Sequence, residues 1–358
     1  MANDSLIENL HVCILAGGSG ERFWPMSRID TPKHLLQLIT SITLVEETVN
    51  RVASVLPLER IHVLTNHAQL ENTRAVLTNL PEANIVAEPC KRDTAPAAAL
   101  ATALAYREDP EAVCALFPAD AMIHDLESFG RNLRDALEAA QKFNAFVTFA
   151  IPPSHPSTGF GYLELAESLG KGAEKSEICD VARFVEKPNL ENAEAYLKSG
   201  KYAWNAGMFV WKAKHFIEEA ERLQPELAAF IRNFPKGDYA DYLKTNFEKL
   251  PKISVDYAIM EKATRVIAVR AEFDWDDVGT WTALPTHLGE DNSGNTTRGE
   301  IILHDAKNNI VLSNGRTIAL CGVENLVVIE TADAILVCHR DAVQNVKQLQ
   351  PHLPDHLR

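Results

Sequence analysis

Residues 15–28 read LAGGSGERFWPMSR, with Pro32 and Lys33 close behind. Gly17, Gly18 and Gly20 free the backbone to approach a ligand closely or to take a positive φ. The N–H groups of such a loop favour phosphate oxygens, and Arg22, Arg28 and Lys33 add mobile positive charge. A polyphosphate suits this chemistry; a tight turn between a strand and a helix is the alternative. Two common phosphate signatures do not fit. No Gly-Lys-Ser/Thr completes a G-x-x-x-x-G-K-[ST] loop. In G-x-G-x-x-G, Gly18 and Gly20 satisfy the first two positions but Phe23 stands at the third.

Further stretches carry chemistry. In EPCKRDTAPAAALA (88–101), Glu88 ends a strand-like run, and Thr94 and Pro96 open a helix of small residues. A flat group has room against that face; close helix packing is the simpler reading. FPAD (117–120) runs an apolar strand straight into Asp120. A carboxylate there suits Mg²⁺, which takes one or two carboxylates plus substrate phosphates, and equally suits a helix N-cap. FVEKP (184–188) sets Glu186 beside Lys187 before a proline, as a ligand pair or as a charged surface turn. WNAGMF (204–209) places the polar Asn205 among apolar residues, where sugar hydroxyls would satisfy it. FDWDDVGTW (273–281) offers three aspartates beside a glycine, for a ligand or simply for an exposed turn.

The elements that must position these groups follow from periodicity. Apolar runs of strand length at 11–15, 61–64, 84–87, 113–117 and 146–150 alternate with helical stretches at 42–56, 67–79, 94–107 and 127–142. That alternation implies a parallel sheet covered on both faces, and ligands of such sheets lie beyond the strands' carboxyl ends. The glycine loop begins where the first strand ends. After 151 the order becomes mixed: strands at 158–165 and 180–188 around a Gly/Lys/Ser turn, a helix at 191–200, a strand at 204–213, and mostly helix over 215–249. Beyond DNSGNTTRG (291–299), short strands follow at close intervals with no long helix before about 341, which predicts a small all-β appendage. The boundary falls near 285–290, giving domains of 1–288 and 289–358.

The chain has 358 residues, ample for a large core. At 46% hydrophobic and 23% charged it has the composition of an ordinary globular protein. Its net charge of −14 argues against non-specific nucleic-acid binding, and makes the basic glycine loop stand out as a local anion patch. The six cysteines are scattered with no C-x-x-C spacing, so buried free thiols are expected rather than a zinc or redox site. The start MANDSLIENL lacks a basic leader, and no apolar run approaches the roughly 18 residues of a membrane span. A cytoplasmic enzyme or binding protein, with no membrane partner, is expected.

Taken in order, GGSGERFWPMSR…PK, EP…DTAP, FPAD, TGFGY, FVEKP, WNAGMF, SVDYAIMEK and DVGTW resemble the mannose-1-phosphate guanylyltransferases over roughly residues 11–290. The glycine signature alone indicates sugar nucleotidyltransferases broadly; RFWPMSR, WNAGMF and YAIMEK point to the mannose and guanosine branch. The resemblance implies an α/β fold: a Rossmann-like nucleotidyltransferase domain with a mixed central sheet, plus a small C-terminal β-helix-like domain. It implies GTP and mannose 1-phosphate as substrates, GDP-mannose and pyrophosphate as products, and Mg²⁺ as cofactor. By the same resemblance Leu15, Ala16, Gly17, Gly18 and Gly20 cradle the nucleotide, with Glu88, Thr94 and Ala95 at the base. Arg22 and Lys33 act on the triphosphate, and Lys187 on the sugar phosphate. Gly161, Glu186 and Asn205 meet the sugar, and Asp120 and Asp277 hold the metal. Family members often carry Gln, Asn and His where this chain has His34, Asp93 and Ala121. Long members carry a cupin-like isomerase domain; this chain stops before one, so no second activity is expected. Rivals are a nucleotidyltransferase for glucose 1-phosphate or another base, and a non-catalytic sugar-nucleotide-binding regulator. The β appendage suits a homodimer contact or a packing module.

Overall fold

The computed structural model describes residues 7–358; residues 1–6, assigned above to the large domain, lie outside them. Strand β1 (Leu10–Leu15) is apolar except for His11 and pairs in parallel with β2 (Ile61–Asn66) and β4 (Val113–Pro118), while β3 (Ile85–Glu88) extends the sheet beyond β2. Between them run α1 (Leu44–Ala53), α2 (Leu70–Val76) and α3 (Thr94–Glu108). Helix α1 starts at a capping box, in which Thr43 accepts from the Glu46 N–H and Glu46 accepts from the Thr43 N–H. Helix α4 (Leu126–Phe143) starts at Asp125, whose carboxylate accepts from Ser128 N–H at 3.0 Å, and stops at Asn144 in the left-handed region.

Beyond this parallel half the sheet is mixed. The order is β3-β2-β1-β4-β8-β5-β9-β7-β6. Strand β8 (Tyr202–Lys212) runs antiparallel between β4 and β5 (Phe146–Ile151), and β9 (Val266–Arg270) lies parallel to β5. The hairpin of β6 (Tyr162–Lys171) and β7 (Glu177–Val185) closes the far edge. Both strands reach further into the Gly/Lys/Ser segment than the sequence reading allowed, and residues 158–161, read as strand, lie outside β6. Strand β9 was not singled out in sequence; only its place beside β5 in the core reveals it. The alanine face of α3 is buried from Ala95 to Ala105 in one apolar cluster, so close packing accounts for most of its small residues.

The C-terminal strands form coils. Strands β10 (Thr296–Arg298), β12 (Ile310–Leu312) and β14 (Leu326–Glu330) stack in parallel on one face, and β11 (Ile301–His304) pairs with β13 (Ile318–Cys321) on the other. Buried asparagines link successive coils: Asn295 Oδ1 accepts from Asn309 Nδ2 at 2.9 Å, and Asn309 Oδ1 accepts from Leu326 N–H at 2.9 Å. Strand β15 (Ile335–His339) turns back antiparallel on β14, and a long 3-10 helix, Arg340–His352, replaces the helix expected from about 341. Phe23, Trp24, Leu38 and Trp281 share one core with Ile310, Val327, Val343 and Val346. No helix among the described residues is long and apolar enough to cross a membrane.

Candidate active site

The glycine loop leaves β1 at the carboxyl edge of the sheet. The Ala16 N–H donates to Leu64 O at 2.8 Å, so that residue ends the ladder. Among the described residues, the amides of Gly17, Gly18, Ser19 and Gly20 donate to no backbone carbonyl. Gly20 is left-handed (φ 64°), and a Cβ on it would stand 2.5 Å from Lys33 N and 2.6 Å from Lys33 Cβ. Loop and lysine therefore fit only with glycine at this position. Around Gly17 and Gly18 a Cβ would meet nothing within 4 Å.

Two of the cavities on this loop, of about 540 Å³ and about 400 Å³, adjoin: Leu15, Gly20, Lys33, Thr94 and Asp120 line both. The smaller one runs between Gly17, Gly18, Glu88, Lys91 and Lys252. Burial pushes the Glu88 carboxyl up to about 8. Asp93, also on this wall, is occupied locally: it has φ 70° and accepts from Thr94 N–H at 2.9 Å. Ala16 and Ala95 do not face either cavity. Both are buried, and the Ala95 N–H donates to Ile253 O at 3.1 Å. Arg28 departs from its reading as mobile charge: it pairs with Asp333 at 3.0 Å and donates to the carbonyls of Pro25 and Ser27.

The larger cavity holds Asp120 and Asp277. Lys33 Nζ bonds Asp120 Oδ2 at 2.9 Å and the backbone oxygen of Asp277. The stretch carrying Asp120 is held from three sides. Ala119 N–H donates to Leu15 O at 3.0 Å, Thr48 Oγ1 to Ala119 O at 3.3 Å, and buried Arg51 to Ala121 O at 3.3 Å. Met122 and Asp276 exchange backbone hydrogen bonds of 2.8 and 3.0 Å, which brings two segments far apart in sequence together. The other aspartates of FDWDDVGTW have structural partners. Asp274 accepts from His124 and Asp125 N–H, and Asp276 from Val278 N–H at 2.7 Å and His287 Nε2 at 3.2 Å. Asp277 faces the cavity. Burial raises its carboxyl to about 6; Lys33 counters this, while Asp276 and Asp120 add to it.

Beside this cavity β8 carries Asn205, next to Ala206 and Gly207, which line it. Its Oδ1 accepts from Thr148 Oγ1 at 3.0 Å and Gly207 N–H at 3.2 Å, and its Nδ2 donates to Asp256 at 3.3 Å. Gly161 O accepts from Asn205 N–H at 2.9 Å, and a Cβ on Gly161 would stand 2.9 Å from Glu186 Oε2. Gly161, Glu186 and Asn205 are thus neighbours beside the cavity. Lys187 (φ 41°) is exposed and bonds Glu186 Oε1 at 2.5 Å instead of lining the cavity. Asp256, within SVDYAIMEK, joins the site without a signal of its own in the sequence. It lines the cavity, and burial followed by the nearby Glu186 raises its carboxyl to about 6. Its signal is spatial: it rests on Asn205 and Glu186, each distant in sequence.

Residues 11–292 match the family model for nucleotidyl transferases, and residues 299–353 match the MannoseP isomerase/GMP-like beta-helix domain. Among curated proteins, a mannose-1-phosphate guanylyltransferase of Klebsiella pneumoniae is 37% identical over 355 residues, 96% of this chain and 74% of that one. One from Escherichia coli K12 is 36% identical over 349 residues, 95% and 72% of the two chains. The crystal structure of a Thermus thermophilus mannose-1-phosphate geranyltransferase matches with a TM-score of 0.87 at 33% identity, covering 96% of this chain and 99% of that one.

Proposed function

Because this chain belongs to the mannose-1-phosphate guanylyltransferase family of nucleotidyl transferases, we propose that it makes GDP-mannose and pyrophosphate from GTP and mannose 1-phosphate. A phosphate oxygen of the sugar phosphate attacks the α-phosphorus of GTP. The bond to the bridging oxygen of the β-phosphate breaks in line, and pyrophosphate leaves. The observation carrying this reading is the junction of the two cavities, where Gly20, Lys33 and Asp120 line both. A nucleotide in one and a sugar phosphate reached from the other would meet there.

The residue roles follow as part of the proposal. The free amides of Gly17, Gly18 and Gly20 take phosphate oxygens, with Leu15 and Thr94 flanking the nucleoside and Ala16 and Ala95 supporting them from behind. Glu88 reads guanine N1–H and N2–H. Arg22, exposed and with no ion pair among the described residues, neutralises the departing pyrophosphate; Lys33 attends the α-phosphate. Lys187 would leave Glu186 for the sugar phosphate, and Glu186, Asn205 and Gly161 would meet the mannose. Catalysis is then positioning and charge neutralisation. Asp120 and Asp277 suit a divalent cation, which we assign as Mg²⁺: both carboxylates line one cavity, and Asp277, raised by burial and by the nearby Asp276 and Asp120, bonds Lys33 only through its backbone oxygen. Such a cation, when bound, draws electron density from the phosphate oxygens.

We divide the chain at 288/289, place the reaction in the cytoplasm, and assign a homodimer whose surface includes the exposed Ile302, Ile335 and Val337 of the β appendage. The test of the reaction is a substrate panel: pyrophosphate release from GTP, ATP and UTP with mannose 1-phosphate or glucose 1-phosphate, with Mg²⁺ and with EDTA. Fast turnover only of GTP with mannose 1-phosphate and Mg²⁺ is expected. Equal turnover of the other pairs, or full activity in EDTA, would overturn the assignment.

A further inference from the structure

Lys347 lies in the 3-10 helix Arg340–His352 of the β appendage, yet it lines the same cavity as Gly20, Arg22, Lys33 and Asp277. The helix is firmly seated there. A 3-10 helix has three residues per turn, so Val343 and Val346 share a face, and both are buried in the core that holds Phe23 and Trp24. Trp24 Nε1 donates to Leu357 O at 3.0 Å, and Ile29 N–H to Arg358 O at 3.3 Å. Lys347 follows Val346, and Gln350, one turn on, lies over Ser19 and Glu21 across a neighbouring 220 Å³ cavity. One ridge of this helix therefore lies along the glycine loop.

Lys347 is exposed and has no carboxylate partner among the described residues, and the same holds for Arg22. Glu21, the acid on this part of the wall, accepts from Ser19 Oγ at 3.2 Å. Packing thus gathers two unpaired cations on one cavity of a chain with net charge −14. Two like charges at one cavity are stabilised by an anion between them. We propose that Lys347 is a phosphate ligand of the active site, binding with Arg22 the β- and γ-phosphates of the nucleotide and hence pyrophosphate. The β appendage then supplies a charged group to the reaction as well as a packing surface. The identity of the anion rests on the reaction proposed above.

The test uses the full chain carrying Lys347→Gln, Lys347→Arg or Gln348→Ala. Calorimetry measures inorganic pyrophosphate binding, and initial rates give KM for each substrate in both directions. Loss of a charge-assisted phosphate contact should weaken pyrophosphate binding roughly tenfold or more. KM for GTP should rise similarly, while KM for mannose 1-phosphate stays unchanged. Lys347→Arg should retain most of the affinity, and Gln348→Ala should match the parent protein. Wild-type pyrophosphate affinity in Lys347→Gln would overturn the assignment. So would an equal loss of mannose 1-phosphate affinity, or a fall in Tm and kcat with pyrophosphate affinity intact. A parent protein that binds pyrophosphate through Lys347 but makes no GDP-mannose would sink the proposed reaction and leave the Lys347 site standing.

Discussion

Glu88 is held up to about 8 by burial, and the proposed guanine contact requires it ionised, to accept two donors. GTP binding should therefore expel a proton near neutral pH. Affinity should rise from pH 6 to about 8 and then level off, as calorimetry in buffers of different ionisation heat would show. Glu88→Gln should flatten that profile and shrink the preference for GTP over ATP by about 1–3 kcal/mol. Stability has its own sign. The folded state favours the neutral carboxyl, so its contribution is complete below about 4.5 and is lost as pH rises through about 8. Glu88→Gln should accordingly raise Tm at pH 9 and leave it unchanged at pH 4. The metal pair makes a second prediction. Asp120→Asn or Asp277→Asn should abolish most turnover while Tm stays near the parent value, and the double variant should be scarcely worse, since groups acting as a unit are not additive. Near-normal rates in Asp277→Asn at low Mg²⁺ would reject that choice. Among the three aspartates of FDWDDVGTW, the resemblance to the family's DVG stretch favoured Asp277, and in the structure Asp274 and Asp276 are the two with hydrogen-bond partners in the surrounding loops. Asp256 was not legible in this way, because its environment is made by residues on other elements.

At the scale of elements, the strand–loop unit of β1 and its glycines was readable because the apolar period ends abruptly at Gly17. The contact between Gly20 and Lys33 was not, since nothing in the sequence states that a left-handed glycine presses on a backbone 13 positions later. Gly20→Ala should cost about 1–2 kcal/mol for the left-handed residue alone, plus the displacement of Lys33. A lower Tm and a fall in kcat/KM of at least about tenfold are expected. Gly17→Ala, with open space around its Cβ, should leave Tm unaltered and act on GTP affinity alone. Equal loss of Tm in both variants would show that the loop's glycines serve chain flexibility in general. The first four strands and their helices were legible because each buried run is bounded by turns. The neighbours of β5 were not, because pairing is a long-range choice among similar apolar segments.

For the whole molecule, Phe23, Trp24, Leu38 and Trp281 share one apolar core with the coil residues Ile310, Val327 and Val346. Residues 1–288 expressed alone should expose that surface, bind a hydrophobic dye and melt well below the full chain; a sharp, unshifted transition would show that the parts are independent. The appendage itself was legible from its turn spacing, but its seat on the glycine loop was not. The central strand β8 has a different consequence, one of timing. Strand β4 finds its second neighbour only in β8, so the ribosome must add roughly ninety more residues, about 5 to 20 s of synthesis at common rates, before that edge is covered. Until then β4 is an open, apolar edge able to pair with another chain. Nascent chains halted before residue 202 should therefore recruit a chaperone or aggregate, and those released past residue 270, with β8 and β9 both available, should not.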